Sequence, residues 1–248
     1  MAVEMQGNPV LLVTGGSRGI GAETARLAAK RGWRVVTTYN GREDSARAVV
    51  DEIVKAGGQA ATIQAEVTKE ADIGHAFDEA EKRFGPVAGL VNCAGVDGGP
   101  RRLTEMSTEE MRWVLDTNVL GTMLCCREAV SRMERDGRGG AIVNLGSVIA
   151  RLGAPGERVH YAASKGAIVS FTTGLAREVA ASGIRVNCVS PGLTVTEMNS
   201  PERIARIAPN IPVGRAGKPG EIAETILFLL SPAASYVVGA ELTVSGGR

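Results

Sequence analysis

Aromatic residues make up only 4% of this 248-residue chain, and histidine occurs just twice, at His75 and His160. The two are far apart in sequence and no cluster of Asp, Glu and Cys accompanies them at ligand spacing, so no catalytic metal is expected. Cysteine is sparse as well. Cys93, Cys125, Cys126 and Cys188 form no C-x-x-C pair and no disulfide framework, which suits a reducing, cytoplasmic setting. Neither sign of charge dominates. The 28 Lys and Arg stand against 27 Asp and Glu, a net of +1, which argues against a nucleic-acid partner. No apolar run reaches the ~18–20 residues that cross a bilayer. The opening MAVEMQGNPVLLV has no basic stretch leading into a long apolar one, so neither a membrane span nor a signal peptide is expected. At 44% hydrophobic and 22% charged, the composition is globular and not disordered.

Glycine is plentiful, with 32 residues, several at fixed offsets beside short β-rich runs. Those runs fall at 9–14, 34–39, 60–65, 89–93, 141–146, 184–190 and 241–245. Between them lie helical periods, such as Ala46, Val49, Val50 and Ile53, then Ile73, Ala76, Phe77, Ala80 and Phe84. Strands alternating with helices predict an α/β fold, with a parallel sheet of about seven strands and helices on both faces. No Pro-, Ser- or Gly-rich linker and no internal repeat divides residues 1–248, so one doubly wound domain is expected. The polar stretch 132–140 reads as a surface turn before a strand.

The first run enters Thr14-Gly15-Gly16-Ser17-Arg18-Gly19-Ile20-Gly21 and then a helical segment. A strand feeding a helix through glycines leaves backbone N–H groups aimed at an anion, and the helix dipole adds positive potential there. That is the context of the Rossmann-type dinucleotide turn. The end of the second strand normally carries an acid when the ribose 2′-hydroxyl is read. Here it reads Thr38-Tyr39-Asn40-Gly41-Arg42. Arg18 and Arg42 can meet a 2′-phosphate, so NADP(H) is favoured, while Glu43 and Asp44 oppose that reading and NAD(H) stays possible.

Tyr161 and Lys165 stand at i and i+4, one face of a helix. A free phenol has a pKa of about 10, too high for efficient proton exchange near neutrality. A neighbouring ammonium favours the phenolate, and an oxidised nicotinamide would act in the same direction. Ser147 follows the run AIVNLG, at the carboxyl end of a parallel strand, where open α/β sheets bind ligands. Asn118 lies inside an apparent helix, where asparagine needs a reason such as holding a water.

Together these residues resemble the short-chain dehydrogenase/reductase family. The matching motifs are T-G-x-x-x-G-x-G at 14–21, N-x-A-G at 92–95, Asn118, Ser147, Y-x-x-x-K at 161–165 and Pro191-Gly192, in order along nearly the whole chain. The resemblance implies that Tyr161 is the acid or base, and that Lys165 lowers its pKa and holds the nicotinamide ribose. Ser147 would bond the substrate oxygen, and Asn118 would anchor a water that links Lys165 to solvent. It implies cofactor contacts from Gly15, Ser17, Arg18, Gly19, Ile20, Gly21, Asn40 and Arg42. Glu66 and Val67 would meet the adenine, and Asn92, Ala94 and Gly95 the adenosine side. Pro191, Gly192, Thr194 and Thr196 would flank the nicotinamide. A homotetramer is implied too, built partly from the helices after the fourth and fifth strands.

The chain departs from the family pattern in three places. Cys93 replaces the second Asn of N-N-A-G, Glu66 replaces the common Asp, and Ser147 and Tyr161 are one residue further apart than is commonest. The extra residue falls in 152–158, a loop that would border the substrate pocket. Residues 193–213 read as a substrate lid with a short helix at 202–207. His160 reads as a loop histidine at a helix start, Cys125 and Cys126 as small core residues, and Arg101, Arg102 and the arginines of 132–138 as solvated surface or a site for an acyl-carrier partner. The expected activity is interconversion of a carbonyl and a secondary alcohol. A 3-oxoacyl thioester and a sugar compete as substrate, and a non-catalytic NADP(H)-binding redox sensor is the alternative of another class.

Overall fold

The computed structural model describes residues 7–248. Seven strands form one parallel sheet: β1 (Val10–Thr14), β2 (Arg34–Tyr39), β3 (Gln59–Gln64), β4 (Val87–Asn92), β5 (Gly140–Leu145), β6 (Ile184–Pro191) and β7 (Glu241–Val244), in the order β3-β2-β1-β4-β5-β6-β7. The helices are α1 (Gly19–Lys30), α2 (Glu43–Lys55), α3 (Glu70–Phe84), α4 (Thr108–Leu115), α5 (Gly121–Asp136), α6 (Ile149–Leu152), α7 (Val159–Val179), α8 (Pro201–Ile207) and α9 (Pro219–Leu230).

Strand β1 shows why the sheet is covered twice. All five of its residues are buried, and successive side chains point to opposite faces. Val10 and Leu12 join the core built with α3, α5 and α7, which includes Phe77, Met133 and Val179. Leu11 and Val13 join the opposite core, with Ala25 of α1, Val49 of α2 and Ile226 of α9. A strand that is apolar on both sides has no wet face, as a doubly wound sheet requires. Emptying either layer is costly: truncating fully buried Phe77 to alanine would remove about 3–5 kcal/mol.

The strand order reverses between β1 and β4, because the chain builds β2 and β3 outward on one side and β5 to β7 on the other. Loops leaving the carboxyl ends of β1 and β4 therefore diverge and open a crevice. The two strand ends approach closely there. A Cβ on Gly15 would lie 2.9 Å from the Ala94 backbone, and one on Gly21 would lie 2.4 Å from the Gly15 carbonyl. Thr14 Oγ1 also accepts from the Ala94 N–H at 3.2 Å.

Two local readings are corrected. The first five of the residues at 132–140 are not a turn: α5 runs to Asp136 and is stopped by Gly137 in the left-handed region (φ 70°). Arg132 is not solvated either. Its side chain is 11% exposed and bonds Asp78, Glu81 and Glu128 while lying over the Phe77 ring. A guanidinium with three carboxylate partners can be buried along its stem at little penalty.

Candidate active site

A cleft of about 870 Å³ lies along the carboxyl ends of the strands. The glycine turn, Asn40, Arg42, Glu66, Val67, Ala94, Gly95, Ser147, Tyr161, Lys165, Pro191, Gly192, Thr194 and Thr196 all line it. Residues separated by as much as 181 positions thus share one wall, because each sits at or just beyond a strand end or in the first turns of α1 or α7.

At the amino end of α1 the turn suits a pyrophosphate. Gly19 has φ 55°, a conformation that strains any other residue, and a Cβ there would touch only the Thr196 side chain, at 3.4 Å. Bare backbone therefore faces the cleft at the helix terminus, which is the cradle an anion needs. At the end of β2, Asn40 donates a hydrogen bond to Glu66. Arg18 and Arg42 both reach one carboxylate, that of Glu197 in the loop after β6.

Tyr161 and Lys165 are on α7, one turn apart, with the ammonium 5.7 Å from the phenol ring centre. The Lys165 Nζ donates to the Leu145 carbonyl at 2.8 Å, which ties α7 to the end of β5. Ser147 is two residues beyond that carbonyl, lines the cleft with Tyr161, and donates from its Oγ to the Pro191 carbonyl at 3.5 Å. Its own Oγ accepts from the Ile149 N–H at 3.3 Å, which fixes its orientation.

Electrostatics differ from the sequence expectation. Burial pushes the Tyr161 phenol up to about 12, and Asp97 adds to the rise; Arg158, the Ser147 hydrogen bond and Arg203 pull the other way. Burial also lowers Lys165 to about 8. Lys165 Nζ is engaged by the Leu145 carbonyl, and the positive charges that oppose burial of the phenol are those of Arg158 and Arg203.

Asn118 and Asn92 lie behind the cleft wall. Asn118 is in a π-turn, Asp116–Leu120, between α4 and α5. Its side chain accepts from the Val96 N–H and donates to the Val96 carbonyl, both at 2.8 Å, and donates to Ser164 at 3.0 Å. It therefore pins the loop after β4 to α7, with Gly95 between it and the cleft: a Cβ on Gly95 would lie 3.1 Å from Asn118 Oδ1. Asn92 is 3% exposed and donates to Asn144 at 2.9 Å, and Asn144 donates to Thr172 at 3.0 Å. This chain ties β4, β5 and α7 together inside the core, so the Asn92 side chain serves the sheet and is not among the residues that line the cleft.

Several lining residues carried no motif. Glu197 is one, and Arg158 and Arg203 are others. Arg158 falls in the loop at 152–158 flagged by its spacing, which was the available signal. His160 is in the first turn of α7, buried, with both ring nitrogens unpaired. Cys125 and Cys126 are buried core residues, as their pattern indicates. Among the described residues no group of His, Cys, Asp and Glu could hold a metal, and no helix is long and apolar enough to cross a membrane.

Comparison with known proteins agrees with this geometry. A family model described as enoyl-(acyl carrier protein) reductase matches residues 15–248. The chain is 47% identical over 245 residues to an uncharacterized oxidoreductase of Escherichia coli strain K12, covering 96% of this chain and 99% of that protein. It is 42% identical over 238 residues to the 3-oxoacyl-[acyl-carrier-protein] reductase of Bos taurus, covering 96% and 97%. The crystal structure of an actinorhodin polyketide ketoreductase with NADPH superposes with a TM-score of 0.91 at 33% identity, covering 100% of this chain and 98% of that one. Sheet order, glycine turn, Ser-Tyr-Lys arrangement and these relatives agree: the chain belongs to the short-chain dehydrogenase/reductase family, oxidoreductases that work with a nicotinamide dinucleotide.

Proposed function

We propose that residues 1–248 act as one catalytic unit, an NADP(H)-dependent reductase of a small carbonyl compound, with Tyr161 as the proton donor. The observation that carries this reading is that Ser147, Tyr161 and Lys165 line the same cleft as the glycine turn. When bound, the dinucleotide supplies the hydride. Gly15, Ser17, Gly19, Ile20 and Gly21 would hold its pyrophosphate on backbone N–H groups, and Arg18 and Arg42 a 2′-phosphate. Asn40, Glu66 and Val67 would border the adenine end, Ala94 and Gly95 the adenosine, and Pro191, Gly192, Thr194 and Thr196 the nicotinamide end.

Ser147 would donate to the substrate oxygen and steady negative charge as it develops there. Tyr161, protonated throughout the neutral range at a pKa of about 12, would deliver its proton to that oxygen. Lys165, fixed on the Leu145 carbonyl, would hold the ribose and keep α7 in register with β5. Asn118 would act by positioning the loop that carries Gly95 and Val96, in line with its bonds to Val96.

Turnover of a panel of ketones with NADPH and NADH tests this. Loss of turnover by about 10²–10⁴ in Tyr161→Phe, with NADPH binding retained, is the expected result. NADPH binding without turnover of any carbonyl would favour the redox sensor. A 3-oxoacyl thioester is one substrate class, supported by the name of the bovine relative, and a sugar or other small polar alcohol is the second. Four unpaired cysteines are consistent with a cytoplasmic site of action. Trp113, Leu115 and Leu120 are 42–52% exposed around α4 and the π-turn, which supports assembly as a homotetramer through that face.

A further inference from the structure

We infer that Arg158 is a specificity residue that seats a carboxylate of the substrate, so that the carbonyl compound taken by this chain is a short oxo acid. The inference rests on the redox reading of the cleft given above and adds the substrate's charge to it.

The Arg158 side chain is 10% exposed, and that remaining surface belongs to the cleft wall. A guanidinium carries five N–H donors. This one forms no side-chain hydrogen bond; its single ionic partner is Asp97, with Nη2 3.2 Å from Oδ2, and its Nε is buried with no partner. A buried cation so poorly satisfied is expensive to keep unless a further anion completes it. Asp97 cannot turn wholly to Arg158, because its Oδ1 accepts from the Gly99 N–H at 3.2 Å.

Charge on the same wall points the same way. Glu157 takes Arg203 Nη1 at 2.5 Å and Arg206 Nη2 at 2.8 Å, so its carboxylate is already used. Arg203 is 15% exposed on its side chain and its Nε is also buried and unpaired. Three guanidiniums against two carboxylates leave one positive charge in excess beside the cleft. Arg158 and Arg203 line the same cleft as Tyr161, with Asp97 partly offsetting them there, so the cations lie in the pocket of the group that would donate to the carbonyl. Ile149, Leu152, Pro155 and Leu193 line the same cleft and offer apolar surface for the carbon chain of such an acid. A bidentate guanidinium–carboxylate contact made away from water is among the stronger polar contacts available, and the matching neutral ester leaves the donors unpaired.

The test uses the protein with NADPH and pairs of short 2-oxo and 3-oxo acids with their methyl esters. The expected result is kcat/KM about tenfold or more higher for the acid than for its ester, with succinate or glutarate inhibiting while their diamides do not. Arg158→Met should collapse the acid-to-ester ratio. Asp97→Asn, which removes the competing carboxylate, should tighten inhibition by glutarate; a merely structural ion pair would give no such gain. Esters turned over as well as acids, or diamides inhibiting as well as dicarboxylates, overturn the inference and leave the redox reading intact. If no carbonyl is turned over, the redox reading fails on its own. The seat is then judged by thermal shift: glutarate should raise the melting temperature of the protein and not of Arg158→Met, and no shift in either overturns it.

Discussion

One carboxylate oxygen, Oε2 of Glu197, lies 2.8 Å from Arg18 and 2.7 Å from Arg42. The two arginines that suit a 2′-phosphate are therefore already drawn together by an anion from the loop after β6. All three side chains are about half exposed, so each pair is weak and is weakened further by salt. Glu197→Gln should tighten NADPH about two- to fivefold and leave NADH unchanged, as read by fluorescence titration at low and high ionic strength. Weaker NADPH binding in that variant would mean that the carboxylate orients the arginines and does not compete for them.

The height of the Tyr161 pKa sets a direction. Reduction needs the phenol, which is the dominant form below about 12; oxidation needs the phenolate. The rate constant kcat/KM for alcohol oxidation should rise about tenfold per pH unit from neutrality to about pH 10 without levelling, while carbonyl reduction should stay flat over the same range. A plateau in oxidation below pH 8 would show a much more acidic phenol.

Lys165 gives the fold itself a pH dependence. Its pKa is lowered from 10.5 to about 8, so between those values the unfolded chain binds more protons than the folded one and stability rises with pH. Below about pH 8 the buried ammonium costs on the order of 3 kcal/mol relative to an unshifted lysine. Lys165→Met should remove this slope. Compared by urea denaturation from pH 7 to 10, the stability of the variant relative to the parent should be greatest at pH 7 and shrink as pH rises.

Replacing Asn118 by leucine tests whether that amide holds the loop after β4. The change strands the N–H and carbonyl of Val96 and removes the donor to Ser164. A loss of about 2–5 kcal/mol in unfolding free energy is expected, together with weaker NADPH binding. A variant as stable as the parent would move Asn118 out of this positioning role.

The pattern of the sequence carried the sheet well, because each strand is a short apolar run whose alternation is visible locally. All seven strands lie within two residues of their expected bounds. The glycine turn and the Tyr161–Lys165 pair were legible for the same reason, being local spacings. The Arg18–Glu197 and Arg158–Asp97 pairs were not, since they join residues 179 and 61 positions apart. The direction of the Tyr161 shift was also out of reach. Helical spacing shows that Lys165 is near, but burial of the phenol and the bond of Lys165 Nζ to Leu145 depend on the packed structure. The orientation of Asn92 was not legible either, because its motif position says where the backbone runs, while the Asn144 amide decides which way the side chain turns.

The floor of the crevice is made where side chains are missing, at the meeting of Gly15 with Ala94 and of Gly21 with Gly15. Main chain alone forms that surface, so it offers the same amide groups whatever lies above it, and substitutions there have nowhere to go. Selectivity for one compound over another must then be written into the movable sides, the stretch from Ile149 to Arg158 and the one from Leu193 to Ile207. Exchanging the stretch from Ile149 to Arg158 for another should retarget the protein without disturbing how it grips the dinucleotide, whereas the stretch from Leu193 to Ile207 also carries Thr194, Thr196 and Glu197 and would alter both.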